Sequence, residues 1–427
     1  MTATPPDFDV VIIGAGLAGL GAARALREAG RRAVVLEASS RIGGRAWTSY
    51  PAQLGGVWFD MGAVWLHNAE HNPLVPIAQD AGEELLRADE LRRERTFIGQ
   101  REATPEEYAD YAAGWSRFEA KTAQILAAQP DVPLAEVARQ LPNDPWAVTV
   151  ETWEGPVICC ADALEFSARD WLRNSLSGSN LVPQGGIGAF VARRLGEGLD
   201  IRLNTSVSRI DWDGPGGRVT VHTANGSVTA GSAIVTVSTG VLASGAIDFR
   251  PALPPRTVEA VHALPMGLAM KVALRATVAD RLDLPMHCSV DRQVTRSGEP
   301  TMIFQCWPHA RDYVQGWVGG STAWALAREG EPAAIDFTLS QLRGIFGSRV
   351  DRVLGGGTNL VTHWEADPFT LGAYSYVRPG DADARTKLAE PLGDGRLLFA
   401  GEACHDGLAG TVAGAWISGQ QAARVAR

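Results

Sequence analysis

Basic residues are in the minority in this chain, cysteines are few, and no apolar run reaches the length of a membrane span. Lys and Arg number 39 against 48 Asp and Glu, a formal net charge of -9. A general nucleic-acid binder needs the opposite balance to displace counterions from phosphate, so that class is excluded. The same excess of acid suits a cationic partner. Five cysteines, Cys159, Cys160, Cys288, Cys306 and Cys404, fall in no CxxC spacing and leave an odd count, so reduced thiols are the plain reading. Cys159 and Cys160 are adjacent, but a disulfide between neighbours is strained. No metal is expected. The apolar run from Val10 to Ala23 is preceded by Asp7 and Asp9, where a signal peptide carries positive charge, and it is too short to cross a bilayer. A cytoplasmic protein with no membrane association is therefore expected. Internal repeats and low-complexity tracts are lacking as well.

Glycine is abundant. There are 47, in a chain that is 45% hydrophobic and 20% charged, the composition of an α/β protein with many backbone turns. At 427 residues the chain exceeds a single compact core, which predicts two domains with a ligand cleft between them.

The opening segment reads as strand, glycine turn, helix, strand. Val10 to Ile13 is a buried-strand run, Gly14, Gly16 and Gly19 form a GxGxxG turn into a helix ending near Gly30, and Ala33 to Glu37 is the second strand. Ala18, Ala22, Ala25 and Ala29 line one face of that helix with small side chains, letting it lie close to a sheet. Residues 73 to 178 carry charged, amphipathic stretches such as Glu106 to Ala128 and Pro133 to Gln140 with few strand signals, and read as an inserted helical region. Strand alternation returns at Ile201 to Asp211, Val219 to Thr223 and Ser232 to Val237, with Asn225 and Gly226 as a hairpin turn. The prolines at Pro251 to Pro255 mark a boundary. Beyond it lie strands at Ala269 to Leu274, Met302 to Trp307 and Tyr313 to Val318, and a helix over Ala333 to Phe346. A last strand, Leu397 to Ala400, passes through a glycine turn to a helix starting near Gly410.

A glycine turn between strand and helix lets backbone N–H groups approach a pyrophosphate, whose charge the helix N-terminus favours. On its own the GxGxxG spacing is equally a way to pack a helix on a sheet. Here Glu37 closes the second strand 18 residues after Gly19, where a carboxylate accepts ribose hydroxyls. The segment EASSRIGGR, Glu37 to Arg45, then adds Arg41 and Arg45 beside Gly43 and Gly44, guanidinium groups suited to a diphosphate that stays bound.

From that segment onward the chain resembles the flavin-containing amine oxidase family, which includes monoamine, polyamine and L-amino-acid oxidases and histone demethylases. FDMGAVWLHNAEHNPL (Phe59 to Leu74) resembles the family's flavin-side loop. LVPQGGIGAFVARRL (Leu181 to Leu195) and LNTSVSRI (Leu203 to Ile210) are similar to its second cofactor segment. IVTVSTGVL, FRPALPP and MGLAMKVAL (Ile234 to Leu242, Phe249 to Pro255, Met266 to Leu274) lead into the substrate domain. WEADPFTLGAYSYVRPG (Trp364 to Gly380) and FAGEACHDGLAGTVAGA (Phe399 to Ala415) complete the series, in order over nearly the whole chain.

The resemblance implies FAD as cofactor. Gly14, Gly16, Gly19, Arg41, Gly44 and Arg45 would hold the diphosphate side, Glu37 the adenosine ribose, and the Val207 backbone the adenine. Glu402 would take a cofactor hydroxyl or a phosphate-linked water, and Gly62 and Ala63 would lie in the flavin-side loop. Thr411 and Val412 would open a helix whose N-terminus stabilises negative charge on the reduced flavin. Lys271, by its strand alone an edge residue with its head in water, would hold a water against the flavin and assist reoxidation by oxygen. His67 would position the amine or help keep it neutral. Trp364 and Tyr374 would wall the substrate face, against the plainer reading of core packing.

Three departures narrow the family. Monoamine oxidases attach flavin through a cysteine at the position matching Ala373, so noncovalent FAD is implied. Where they sandwich the amine between two tyrosines, this chain has Tyr374 but Thr411. L-amino-acid oxidases hold a carboxylate with an arginine near the flavin-side loop, and GAVWLH has none. The expected activity is therefore oxidation of an amine, polyamine-type favoured, with oxygen as acceptor and peroxide as product. A monoamine or L-amino-acid oxidase, an FAD dehydrogenase with another acceptor, or a catalytically silent FAD-binding module remain alternatives. Glu151, Glu154, Asp162, Glu165 and Asp170 lie in the helical region, where one or two would line a tunnel for a polycation, though each singly reads as a solvated surface charge. The fold implied is α/β, with a Rossmann-like FAD-binding domain assembled from residues 1-72, 179-256 and 362-427, and a substrate-binding domain of mixed sheet and helices from 73-178 and 257-361. Family members often pair, so a homodimer is a possibility the resemblance raises.

Overall fold

The computed structural model describes residues 6–214 and 216–427. Its first sheet gathers parallel strands from three distant parts of the chain. In spatial order these are Leu397–Phe399, the second half of Gly226–Val235, Phe8–Ile13, Ala33–Leu36 and Ile201–Arg202. Val10, Val11 and Ile12 are fully buried, as an unbroken apolar run covered on both faces must be. The register sets Val10 against Ser232 and Ala33, and Ala233 against Leu397. An antiparallel extension, Gly226–Val235 with Arg218–Thr223 and Val207–Gly214, flanks it.

Two sequence expectations shift here. Ile201 to Asp211 is not one strand: Ile201–Arg202 pairs with Ala33–Leu36, and after a loop with Asn204 in the left-handed region at φ 53° the chain crosses to pair with Arg218–Thr223. In the hairpin Thr223 already pairs with Gly226, so the turn residues are Ala224 and Asn225, one position earlier than the sequence suggests.

The helix after the glycine turn, Leu17–Glu28, packs on the sheet, and its small residues serve a second contact. It lies against the C-terminal helix Val412–Val425 so closely that a Cβ on Gly419 would come 1.9 Å from the Ala18 carbonyl oxygen, and one on Gly21 2.6 Å from that of Trp416. Ala18 and Ala22 are buried, whereas Ala29 is exposed.

A second sheet orders Asn359–Val361, Ala269–Arg275, Tyr313–Gly319, Ile303–Cys306, Cys288–Arg292, Arg93–Ile98 and Arg101–Glu102. Its strands alternate. Met270, Val272, Leu274, Val314, Val318 and Phe304 enter one core with the helices Gly320–Glu329 and Glu331–Phe346, and Lys271, Trp317, Ile303, Gln305 and Gln315 turn to the other face. Region 73 to 178, expected as helical, thus contributes Arg93–Ile98, which pairs in parallel with Cys288–Arg292. The helices Pro105–Ala128, Ala135–Arg139, Ala147–Thr152 and Ala168–Arg173 pack around Phe118, Trp146 and Trp171. Pro105–Ala128 begins with a capping box, Thr104 with Glu107. Past the prolines at 251 to 255 the chain stays with the first sheet for one more helix, Pro255–His262, whose Ala260 and Val261 join that sheet's core. Among the described residues no helix is long and apolar enough to cross a membrane.

Candidate active site

One cavity of about 800 Å³ runs from the glycine turn, across the junction of the two sheets, to the helical region. At its first end Gly14 has φ 102°, and a Cβ on Gly19 would strike the Gly14 carbonyl oxygen at 1.9 Å, so the turn depends on glycine. Gly16 differs: a Cβ there would meet nothing within 4 Å, because it borders the open cavity. Gly44 lies against Gly16, and the Gly43 N–H donates to the Ala15 carbonyl at 2.8 Å. The buried Glu37 carboxylate accepts from the backbone of Ala15 at 2.6 Å and Ser39 at 2.8 Å, which fixes it at the cavity wall. Thr205, Ser206 and Val207 line the wall beside it.

Arg41 and Arg45 divide their work. Arg41 donates to the Gly44 carbonyl at 2.7 Å and lies 4.6 Å above the Trp47 ring, clamping its own loop. Arg45 bonds the Ala373 carbonyl at 2.8 Å and Glu402 at 2.9 Å. Glu402 also accepts from the Ser375 N–H and hydroxyl, and Arg385 bridges Ser375 to Asp170. This buried chain of charges ties the first sheet's last loop to the helix Ala168–Arg173. Across the cavity Thr411 caps Val412–Val425 by accepting from the Gly414 N–H at 2.9 Å. Cap and cavity wall are the same residue, and the helix's first N–H groups have no intrahelical acceptor. The room at Gly16, the fixed Glu37 carboxylate and two helix N-termini on one cavity match a dinucleotide with a charged middle and an electron-accepting ring.

Lys271 is 2% exposed. Its ammonium donates to the carbonyls of Asp60 and Gly62, each at 2.6 Å. Burial pulls its pKa down to about 8, against the pull of the Asp60 carboxylate. Asp60 is itself raised by burial while Thr48 hydrogen-bonds it. The edge-residue reading of Lys271 is therefore incorrect: its strand lies between two others, and its head turns into the cavity wall. Gly62 is held by sterics, since a Cβ there would come 2.0 Å from the Arg45 carbonyl oxygen. The Ala63 N–H donates to that oxygen at 3.1 Å.

Trp364 donates from its indole to the Met61 carbonyl at 3.0 Å and lines the cavity. The Tyr374 hydroxyl donates to the Ile158 carbonyl and accepts from the Cys160 thiol at 2.8 Å. Its ring faces Gly410, with 3.4 Å between a Cβ built there and ring carbon Cδ2. His67 also lines the cavity, its Nδ1 2.7 Å from the Asn180 amide oxygen. Asn180 gives its amide N–H to Asp89, which directs its oxygen to His67 and makes Nδ1 the donor. Nε2 is then the ring's acceptor. Burial lowers the His67 pKa, opposed by Asn180, so the ring is neutral at pH 7.

Of the five acids of the helical region, Glu154 and Asp170 line the cavity. Asp170 is neutralised by Arg385 at 2.8 Å. Glu151, Asp162 and Glu165 bond Ser297, the Ser321 N–H and Tyr376 elsewhere. Sequence reasoning gave no role to Asp60, Asn180, Trp317 or Arg385. Asp60 lies within the flavin-loop string, but the others are polar or aromatic singletons that only the fold brings to the cavity.

The flavin containing amine oxidoreductase family model matches residues 17–427. Polyamine oxidase 4 of Oryza sativa subsp. japonica is 29% identical, over 99% of this chain and 88% of its own. Polyamine oxidase 2 of Arabidopsis thaliana is 29% identical over 98% and 88%. Lysine-specific histone demethylase 2 of Homo sapiens is 27% identical, and the chain spans about half of it, 54%. Among solved structures, putrescine oxidase bound to putrescine shares the fold, with a TM-score of 0.77 at 21% identity over 98% of both chains. The chain belongs to the flavin-containing amine oxidoreductase family, and is an FAD-dependent amine oxidase.

Proposed function

We propose that the protein oxidises a polyamine-type substrate with noncovalently held FAD and oxygen as the electron acceptor. The observation that carries this is the continuity of the cavity from the glycine cradle, past Lys271, Trp364 and Tyr374, to an acid-bearing helical wall. The division of labour follows the two sheets, the first holding cofactor and the second, with the helical region, enclosing substrate. When bound, FAD supplies the two-electron oxidation of amine to imine, which water hydrolyses to an aldehyde or ketone, and passes the electrons to oxygen to give hydrogen peroxide.

The chain's own residues do the rest. Gly14, Gly16 and Gly19 admit the pyrophosphate, Glu37 takes the ribose hydroxyls, Val207 borders the adenine, and Arg45 and Glu402 form the polar wall near the diphosphate, with Arg41 and Gly44 shaping that loop. Thr411 and Val412 present a helix N-terminus where negative charge collects. Noncovalent binding is supported by Ala373 in the cavity wall and by Cys404, which is buried outside that wall with its thiol pushed up to about 12. Trp364 and Tyr374 confine the amine. A neutral His67, with Nε2 as acceptor, takes the proton an ammonium must lose before its carbon can be oxidised. Two of the three ammonium hydrogens of Lys271 are committed to carbonyls, and the third holds a water.

An amine without a carboxylate is favoured. Away from the glycine cradle the cavity arginines are paired, Arg92 with Glu94 at 2.9 Å and Arg385 with Asp170 at 2.8 Å. Anaerobic mixing of the yellow holoenzyme with polyamines, aromatic monoamines and amino acids tests the reading. Bleaching by spermidine or a related polyamine, reversed by air with peroxide formed, is the expected result. Bleaching solely by an aromatic amine or an amino acid would discard the substrate class.

A further inference from the structure

The π-helical segment Trp153–Cys159 ends against two aromatic side chains of the cavity wall, Trp317 and Tyr374. A π turn recurs at functional sites, and this one is anchored at its start. Trp153 donates to Asp291 at 2.9 Å, and Glu154 accepts from the Trp171 indole at 2.8 Å. At the other end of a helical segment the last carbonyls have no donor within it. Here the Val157 carbonyl accepts from the Trp317 indole at 2.8 Å, and the Ile158 carbonyl from the Tyr374 hydroxyl.

Cys160 follows in the left-handed region at φ 56°, a conformation that favours glycine. Its side chain has a use there: the thiol donates to the Tyr374 hydroxyl at 2.8 Å, while the Val157 and Ile158 carbonyls stand farther off at 3.9 Å. Burial pushes the Cys160 thiol up to about 12 and the Tyr374 phenol well above its ordinary value, so both keep their hydrogens. The two bonds therefore run one way, from thiol to phenol oxygen and from phenol to carbonyl. With its one hydrogen given to Ile158, Tyr374 presents its ring to the cavity. Two glycines make room for this turn. Gly267 pairs with Tyr374, and a Cβ on it would come 2.5 Å from the Cys160 carbonyl oxygen; one on Gly319 would come 1.9 Å from that of Pro156. Cys160, Ala269 and Ala373 then form a small buried cluster on which Trp317 and Tyr374 pack.

We infer that Cys160 is a positioning residue for amine oxidation, its thiol locking the Tyr374 ring in the orientation that confines the reacting amine. The inference rests on the reading of Tyr374 as a wall of the amine site and assigns the setting of that wall to the helical region, through a residue that acts on Tyr374 alone. A thiol that merely filled space would serve without its hydrogen bond.

The test follows anaerobic flavin reduction in the holoenzyme by stopped flow, with spermidine, putrescine or whichever amine of the panel above bleaches the wild type fastest. Reoxidation by oxygen and bound FAD are measured beside it. Cys160→Ala is expected to lower the limiting rate of reduction about 10-fold, the effect of a displaced positioning group, with reoxidation and FAD content at wild-type values. Cys160→Ser retains a donor and recovers most of that loss. Tyr374→Phe removes the same bond from its other end and slows reduction at least as much, and in that background Cys160→Ala has no further effect. Should Cys160→Ala fail to fold, Cys160→Gly suits the left-handed backbone and takes its place. A wild-type rate of reduction in the variant that lacks the thiol, an equal loss in Cys160→Ser, or a further loss in the Tyr374→Phe background overturns the inference while amine oxidation stands. A wild type that no amine bleaches overturns the reading of Tyr374 and the inference with it.

Discussion

Lys271 shows what burial does to a single charge. Its two carbonyl acceptors satisfy hydrogens without neutralising it, and the Asp60 carboxylate favours the charged form less strongly than burial opposes it. The ammonium is therefore present below a pKa of about 8 and lost above it. If it stabilises negative charge arriving on oxygen, reoxidation of the reduced flavin should slow as pH rises through about 8. Lys271→Met should slow it about 100-fold at pH 7 and leave it flat with pH. Stopped-flow mixing of reduced enzyme with oxygenated buffer reads both, and a variant that keeps the wild-type rate and profile removes Lys271 from this role. At the same scale, legibility was uneven. Lys271 stood out as a charge in an apolar strand, but its surroundings lie more than two hundred residues away at Asp60 and Gly62, and without the resemblance the strand alone pointed to solvent. Asn180, which sets the tautomer of His67, carries no local signal.

Among elements, those fixed by local pattern were readable. The amphipathic stretch from Glu106 to Ala128 and the glycine turn at Gly14 to Gly19 mark their helices in the sequence itself. Arg93–Ile98 escaped notice because charge crowds its first half, its burial rising only at Thr96 and Phe97. Its strand character comes from pairing with Cys288–Arg292, a contact no local window contains. The alanine face of Leu17–Glu28 was legible as a close-packing surface, while its second partner was not. That partner yields a prediction. A side chain at Gly419 must displace the Ala18 backbone, so Gly419→Val should separate Leu17–Glu28 from Val412–Val425 and cost about 3 kcal/mol or more. The thermal midpoint should fall and FAD be lost on gel filtration, because both helix N-termini face the cofactor's cavity. Unchanged melting and flavin content would contradict the packing described.

In the whole molecule the first and second sheets have separate cores yet share one cavity. A ligand that fills it contacts both, so holoenzyme should be more stable than apoenzyme. With FAD at about 1,000 times its Kd the gain is about 4 kcal/mol, seen as a higher thermal midpoint that returns when FAD is added back to stripped protein. Equal midpoints with and without FAD would mean that the cavity is not where the cofactor binds. The assembly of the first sheet from three stretches was visible in sequence because the first and last each pass from a strand through a glycine turn to a helix, and the middle one shows strand alternation. How the helical region folds over the second sheet was not, since Trp171, Glu154 and Asp291 meet through tertiary contact.

The second sheet's alternation has a consequence for how such an enzyme changes over time. Met270, Val272 and Leu274 belong to the packed interior, whereas Ile303, Gln305, Gln315 and Trp317 face the cavity from neighbouring strands. Lys271 and Trp317 on that face are tied to Asp60, Gly62 and Val157, but Ile303, Gln305 and Gln315 can drift chemically while their neighbours are bound by packing. A new specificity can be reached through single substitutions on one side of one sheet, with no intermediate that must first lose its fold.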